Sequence, residues 1–427
     1  VPLLGDVVRF VGDEVAVVAA TTLATARKAA ACIEIEYEPL PHVTDMQTAL
    51  DSNSVVIHGD SNQVGDKTTY ERGDVEAAMA KAELSVSLTF DTPTAIHNAL
   101  ESHCTVAHWE GNALVLYDST QGIHAVKNEM AERLGLPQSK VQVICHHMGG
   151  GFGAKQKPWK QAMLAALLAK RCGKPVQIFL DRESENLAAG NRNATRQTVA
   201  LAADRSGKLT AIDVQSLKNI GAYQMGGEAS NVSGLFQHLY QCDNVRTEET
   251  AVYTNAGPAV AFRAPGYVEA CFALESAMDD LASKLNIDPM DLRLMNIAAE
   301  DQVQGVPWSS PEALRRCHER ADEAFGWSGR KKHEAQGPVY RGFGMASHEW
   351  MAGSGNPPGY ARLVVDSDGS CQLLLGTQDI GTGTRTVLAQ VAAEALGVPV
   401  DTVRVSVGDT ISGLPAPTSA GSFTVPT

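Results

Sequence analysis

Residues 149–153 read Gly-Gly-Gly-Phe-Gly, soon after the run Val141-Gln142-Val143-Ile144 and the pair His146-His147. Glycine loses more conformational entropy on folding than any other residue, so such a cluster is kept for positive φ angles or for close approach of the backbone to a ligand. A strand ending in this loop, with Ala154-Lys155 and an apolar helical segment beyond, can aim bare N–H groups at an anion. A tight strand-to-helix turn accounts for the same glycines.

Four further stretches set polar side chains beside glycine or proline between apolar segments. They are Asp118-Ser119-Thr120-Gln121-Gly122, Ala261-Phe262-Arg263-Ala264-Pro265-Gly266, Thr377-Gln378-Asp379-Ile380-Gly381-Thr382-Gly383-Thr384 and Thr418-Ser419-Ala420-Gly421-Ser422. Each alone reads as a solvent loop. Together, in an acidic chain without a basic patch, they suggest one extended anionic ligand held by amides and neutral hydroxyls.

Familiar nucleotide motifs fail. A phosphate-binding G-x-x-x-x-G-K-[ST] loop is missing, because Lys155 follows Ala154 and precedes Gln156. The dinucleotide pattern G-x-G-x-x-G fails after Gly151 and Gly153, where Gln156 stands at the third glycine. Gly381 and Gly383 come nearer, but Thr386 replaces the third glycine and Asp401 precedes a strand. A nicotinamide-dependent dehydrogenase working through the Gly381 loop stays open on these residues as an alternative.

The elements that must carry these loops follow from periodicity. Residues 7–20 read as two strands about Gly12-Asp13, 22–31 as a helix, 32–37 as a strand and 50–70 as an extended linker. Strands are expected at 83–90, 105–109, 113–117, 141–144, 176–180, 198–203 and 209–217, and helices at 121–134, 161–171, 269–285 and 289–296. Charge rises between Ser309 and Pro338, and residues 326–336 are almost wholly polar, which marks a domain boundary. Beyond it come strands at 361–365, 371–375 and 402–407 and a helix at 387–396. This last strand–loop–helix has the layout of the unit around the glycine loop, so two related α+β halves are expected, each offering a loop to one ligand. The opening strand and the polar ending predict a piece cut at both ends.

A chain of 427 residues with net charge −14 is globular and holds two or three domains. The acidic balance argues against nucleic acid as the partner. No apolar run reaches the ~18 residues a membrane span needs. Eight cysteines stand singly, without ligand spacing, which fits a reducing compartment and no zinc or iron–sulfur site in this chain. His97, His103, His146 and His147 read as satisfied or strand-end histidines, and Trp159 as packing.

The set of motifs, in this order, resembles the molybdenum-binding subunit of the xanthine dehydrogenase/aldehyde oxidase family. The segments His97-Asn98-Ala99-Leu100-Glu101-Ser102-His103-Cys104 and Asp288-Pro289-Met290-Asp291-Leu292-Arg293-Leu294-Met295-Asn296 add to the match. The likeness covers nearly the whole chain, and Gly-Thr-Gly at 381–383 looks most like the bacterial aldehyde oxidoreductase branch. It implies an α+β fold of mixed α/β molybdopterin-binding domains, incomplete at both ends. The implied divisions are a hammerhead-like remainder at 1–55, a first molybdopterin-binding domain at 56–325 and the start of a second at 326–427.

The resemblance also implies roles. A molybdopterin, expected as the cytosine dinucleotide, would hold molybdenum through its dithiolene sulfurs, so no side-chain metal ligand is needed. Gln121 would lie near an oxo ligand of the metal, the amides of Phe152 and Gly153 beside the apical oxo, with Gly151 part of the same cradle. Arg263 would sit by the pterin and substrate. Gly381, Thr382, Gly383, Ser419, Ala420, Gly421 and Ser422 would bind the pterin and its pyrophosphate. Phe152 and Gln156 would line the substrate channel. Purine-oxidising relatives carry glutamate where Gln156 stands, which disfavours xanthine, and Thr382 replaces a common glutamine. The family's general base, a glutamate in a later Gly-x-Gly-Glu segment, lies outside this chain, and Glu101 and Glu269 read as structural carboxylates.

The implied activity is hydroxylation of an aldehyde or an N-heteroaromatic carbon with water-derived oxygen. Electrons would pass to [2Fe–2S] and FAD on partner subunits, in a cytoplasmic dimer of heterotrimers that also needs a C-terminal continuation of this subunit. A periplasmic enzyme is the other case, if it is co-exported with a partner carrying the signal. A non-catalytic assembly module of the same fold is the alternative from another class.

Overall fold

The computed structural model describes residues 2–330, 337–350 and 358–425. In chain order the elements are α1 (Leu23–Ala31), β1 (Thr68–Arg72), α2 (Val75–Ala80), β2 (Leu84–Thr92), β3 (Cys104–Glu110), β4 (Ala113–Asp118), α3 (Ile123–Leu134), β5 (Val141–Ile144), α4 (Lys160–Cys172), β6 (Val176–Phe179), α5 (Arg182–Ala188), β7 (Thr195–Ala203), β8 (Leu209–Gly221), α6 (Gly234–His238), β9 (Val245–Tyr253), α7 (Tyr267–Leu285), α8 (Pro289–Asn296), β10 (Glu300–Asp301), β11 (Val306–Pro307), α9 (Ala313–Phe325), β12 (Ala361–Val365), β13 (Cys371–Leu375), α10 (Thr384–Leu396) and β14 (Val403–Ser406).

Three sheets organise the fold, with strand orders β1-β9-β8-β7-β2, β5-β4-β3-β6 and β12-β13-β14. On the first, α7 buries Ala270, Ala273, Leu274, Ala277, Met278 and Leu281 against Val199, Leu201, Ile212 and Val214. That i, i+3, i+4, i+7 spacing is one helix face. On the second, α4 turns Ala162, Ala165, Ala166 and Ala169 inward, all at most 1% exposed. Alanines let the helix approach so closely that Trp109 Nε1 on β3 donates to the Ala166 carbonyl at 2.9 Å.

The second and third sheets contain one repeated unit. In β3–β4–α3–β5, β4 pairs antiparallel with β3 and parallel with β5. In β12–β13–α10–β14, β13 pairs antiparallel with β12 and parallel with β14. The expected pair of related halves is present, but the structure shifts the correspondence. The loop equivalent to the one before α10 is the Gln121 turn after β4, since the glycine loop follows the last strand of its unit. The two units meet edge to edge: Cys145 N donates to Gly408 O at 2.7 Å and Thr410 N to Val143 O at 3.1 Å.

Several expectations are corrected. Residues 7–20 and 32–37 form no strand. The turn at Gly12 exists, with Asp13 N donating to Phe10 O at 3.1 Å, but neither flank finds a neighbouring strand to pair with, and an unpaired strand has no ladder to hold it. Helix α1 follows its sequence signal, Thr22 capping it by accepting from Thr25 N at 3.1 Å. The region 50–70 is no free linker: Asn62 is buried, and Tyr253 N donates to its carbonyl at 2.8 Å. β1 begins inside that span. Helices α2 and α5 and strand β9 lacked a clear periodic signal. Helix α3 starts at Ile123, because Gln121 is consumed by the loop before it. The charged stretch holds the amphipathic α9, and residues 331–336 within the expected boundary lie outside the described ones, as do 426 and 427 of the expected polar ending.

Candidate functional site

β4 delivers Asp118, and the next four residues turn into α3. Thr120 Oγ1 accepts from Gly122 N and donates to Lys155 O, each at 3.0 Å. Gln121 is 2% exposed. Its N–H donates to Lys155 O at 2.7 Å. Its Oε1 accepts from Gly153 N at 2.8 Å and Lys155 N at 3.3 Å, and its Nε2 donates to Ser419 O at 2.8 Å. These partners fix which end of the carboxamide is oxygen. Ser419 N returns a bond to Gln121 O at 2.7 Å.

The glycines of the loop are required by contact. A Cβ on Gly151 would lie 2.5 Å from Gln121 Oε1, and one on Gly153, at φ +114°, 2.3 Å from Ala261 O. Phe152 is held at φ +55° with 43% of its surface exposed. Its carbonyl accepts from Arg263 N at 2.8 Å, which joins the 261–266 segment to the loop. Gly149 N donates to the Glu101 carboxylate, so Glu101 supports the loop as a structural group. Lys155 is buried with Nζ donating to Glu101 O at 2.5 Å, and burial pushes its pKa down.

The second loop leaves β13 in the same way. Gln378 is fully buried. Its Oε1 accepts from Ile123 N at 3.0 Å and its Nε2 donates to Ser419 Oγ at 2.7 Å, while Ser419 Oγ donates to Gln378 O at 3.1 Å. Gly381 and Gly383 have φ +96° and +80°, with nothing within 4 Å of an added Cβ. Asp379 accepts from Gly381 N at 2.9 Å and Arg385 N at 3.2 Å, and Arg385 reaches across to His146 O. Thr382 is exposed, its hydroxyl 3.3 Å from that of Thr384. Past Ser419 the chain turns tightly, Ala420 N donating to Thr418 O at 2.8 Å, with Gly421 and Ser422 at φ +56° and +63°.

Gln121, Gly151, Phe152, Gly153 and Ser419 thus form one cluster, with Arg263 attached through its backbone and its side chain exposed. The 381–383 turn is joined to it through Gln378; among the described residues no hydrogen bond runs directly from Gly381, Thr382 or Gly383 to the Gln121 cluster. Gln156 is half-buried at its edge, its carbonyl close under Gly122. The Gly153 N–H, expected to face an oxo ligand, is taken here by Gln121. Four of the five non-glycine residues with positive φ among those described, Asn98, Phe152, Ala264 and Ser422, lie in the motif segments. Backbone held in a sparsely populated region gathers where function demands it.

Gln378 was not singled out as a site residue. Its signal was available: Thr120-Gln121 and Thr377-Gln378 both fall two and three residues past the middle strand of a repeated unit. His97, His103 and His146 have protein partners, and His147 is exposed. His97 Nε2 lies 2.9 Å from Ala261 O, and burial pulls its pKa down to about 4. His103 Nδ1 pairs with Glu185 at 3.0 Å, and His146 Nδ1 lies 3.4 Å from Val407 O. Among the described residues no group of three or more His, Cys, Asp or Glu side chains is placed to hold a metal ion.

The glycine cradles fit an anionic organic group. They present amides and hydroxyls, and buried polar atoms at the roots of both loops, Ser119 Oγ, Thr377 Oγ1 and Arg385 Nε, have no partner. Asp379, next to the 381–383 turn, is spent on the N–H groups of Gly381 and Arg385.

Two family models, each described as a molybdopterin cofactor-binding domain, match residues 57–297 and 320–427. A third, described as the aldehyde oxidase and xanthine dehydrogenase a/b hammerhead domain, matches residues 1–41. The chain is 34% identical over 414 residues to the xanthine dehydrogenase molybdenum-binding subunit of Escherichia coli O157:H7, covering 94% of this chain and 55% of the relative. It is 32% identical over 427 residues to the aldehyde oxidoreductase molybdenum-binding subunit PaoC of Escherichia coli K12, covering 98% and 55%. The chain therefore spans little more than half the length of these relatives. The crystal structure of the aldehyde oxidoreductase from Desulfovibrio desulfuricans ATCC 27774 superposes with a TM-score of 0.90 at 25% identity, over 99% of this chain and 48% of that one.

Proposed function

Because the chain belongs to the family of molybdopterin-binding subunits of xanthine dehydrogenases and aldehyde oxidoreductases, we propose that it is the cofactor-binding part of a molybdenum hydroxylase that oxidises an aldehyde or an N-heteroaromatic carbon with water-derived oxygen. The observation that carries this reading is the convergence of two loops, through Gln121 and Gln378, on Ser419. That junction links the roots of the two glycine loops. The divisions at residues 55/56 and 325/326 belong to the same reading.

In it, the Gly381-Thr382-Gly383 turn and residues 420–422 hold the pyrophosphate and pterin by amides and hydroxyls. Gln121, Gly151, Phe152 and Gly153 form the wall at the metal end, and Arg263 stands by the substrate. When bound, the group supplies a molybdenum centre through its own dithiolene sulfurs and accepts the electron pair of the oxidation. The chain's residues bind and orient. The Gln121 carboxamide locks the loop so that Phe152 shows its ring to the incoming molecule. Gln156 offers a neutral amide where a carboxylate would favour a purine, so an aldehyde or a simpler heteroaromatic is the better fit. Glu101 is spent on Gly149 N and Glu269 on Arg192, so the general base is assigned to a continuation of the subunit. Partners carrying [2Fe–2S] and FAD, the cytosine dinucleotide form of the cofactor, a dimer of heterotrimers and a cytoplasmic location complete the proposal; a periplasmic one applies if a partner carries the export signal.

The test is metal and pterin analysis of the purified complex containing this chain and its partners, with an aldehyde–dye assay. Roughly stoichiometric molybdenum and pterin with turnover are expected. Absence of molybdenum from the intact complex overturns the proposal. Molybdenum and pterin without turnover of any aldehyde or heteroaromatic favour the non-catalytic alternative.

A further inference from the structure

We propose that Arg192, clamped by Glu269, is a positioning residue that sets the direction of Arg263; this rests on the reading that Arg263 stands by the substrate. Arg192 lies just before β7, where its own N–H donates to Ala95 O at 2.8 Å. Its guanidinium makes three polar contacts. NH1 donates to Glu269 Oε2 at 2.8 Å and reaches Ala264 O at 3.5 Å, and NH2 donates to Arg263 O at 2.8 Å. The face of the same group lies 4.6 Å from the Phe262 ring, which is stacked at 4.2 Å on His97. The side chains of Arg192 and Glu269 are 11% and 2% exposed.

The carbonyls of residues 263 and 264 flank the main-chain atoms of Ala264, which is held at φ +59°. A non-glycine residue in that region keeps its conformation only when its surroundings fix it. Arg263 is gripped on both sides: its N–H by Phe152 O at 2.8 Å and its carbonyl by Arg192. Its own side chain is exposed and makes no ion pair among the described residues. The doubly fixed backbone sets the point and direction at which this exposed cation leaves the loop. Arginine is needed beneath it, because a planar fork can serve two carbonyls and a carboxylate at once, whereas an ammonium is a single point of charge. Glu269 sits in the first turn of α7 with its second oxygen, Oε1, buried and unpartnered. Its Oε2 bond to this guanidinium ties the loop to the helix that crosses the large sheet.

The experiment compares the wild-type full chain with R192Q and R192K. In the chain without cofactor, amide hydrogen exchange is read at residues 261–267 and in β7 and β8, together with the rate at which phenylglyoxal modifies Arg263. R192Q should speed exchange at 262–265 by roughly tenfold, leave the strands unchanged and alter the Arg263 labelling rate. R192K should show a partial effect, and it serves as the readout if R192Q does not fold. In the assembled molybdenum enzyme, R192K should raise KM for an aldehyde with little change in kcat, whereas a general loss of folded protein would lower apparent kcat and leave KM alone. Unchanged exchange and labelling at 262–265, or a fall in kcat at constant KM, overturns the proposal. If wild-type protein binds no molybdenum, the proposed function fails, while the exchange and labelling data still decide whether Arg192 fixes the loop.

Discussion

Gln121 and Gln378 each stand three residues beyond the middle strand of a separate sheet, and both close on Ser419, one at its carbonyl and the other at its hydroxyl. The bond from Ile123 N to Gln378 Oε1 completes the pairing, because it caps the helix that follows Gln121 with the side chain that is its counterpart in the other unit.

Replacing Gln378 by alanine strands the buried Ile123 N–H and removes the donor to Ser419 Oγ, which keeps its bond to the residue-378 carbonyl. The expected loss is about 2–3 kcal/mol of unfolding free energy. Urea denaturation of Q378A, Q121A and the double variant checks it. Because both side chains act on one serine, the double loss should fall short of the sum of the single losses.

Q121E exchanges the donor facing Ser419 O for a carboxylate oxygen. At pH 7 two acceptors then oppose one another, and stability should drop by roughly 2 kcal/mol or more. At low pH the protonated acid again offers one donor, so the gap from wild type should narrow as pH falls. Thermal melts of the two proteins at several pH values read this directly.

G153A and G135A separate backbone preference from contact. Gly135 caps α3 at φ +64° with open space around it, so alanine there should cost about 1 kcal/mol. Gly153 meets Ala261 O at 2.3 Å from an added Cβ, and G153A should cost about 3 kcal/mol or more. Equal melting temperatures for the two variants would show that the loop does not touch the 261–266 segment.

Asp118, beneath the Gln121 turn, is buried and accepts from Thr105 Oγ1; burial pushes its pKa up to about 6. A carboxyl raised on folding binds its proton more tightly in the native state. Stability from this group is complete below its ordinary value near 3.8 and is lost as pH rises through about 6. D118N keeps an acceptor for Thr105 and removes the titration. Relative to wild type it should gain on the order of 2 kcal/mol between pH 4 and 7. Parallel curves across that range would rule the assignment out.

The parts of the fold legible in the sequence were those whose periodicity and stop signals agree, such as α4 with its inward alanines and α3 ending at Gly135. Strands expected at 7–20 and 32–37 show the limit. Their alternation is real, with Ile33, Ile35 and Tyr37 41%, 43% and 58% exposed, but a strand exists only when another completes its hydrogen bonds. The site was legible in its glycines, whose need for space is local. Arg192 and Gln378 were not, since each acts on a segment more than forty residues away in the chain, and only the fold supplies that proximity.

Strand β12 carries a practical consequence. Among the described residues it is the last strand of its sheet, all five of its residues are exposed, and Leu363, Val364 and Val365 are 39%, 38% and 59% accessible. Its outward N–H and C=O groups form a template for an incoming chain, blunted only by Arg362. Colloidal behaviour, more than the melting point of the folded state, will therefore govern how concentrated a preparation of this polypeptide can become.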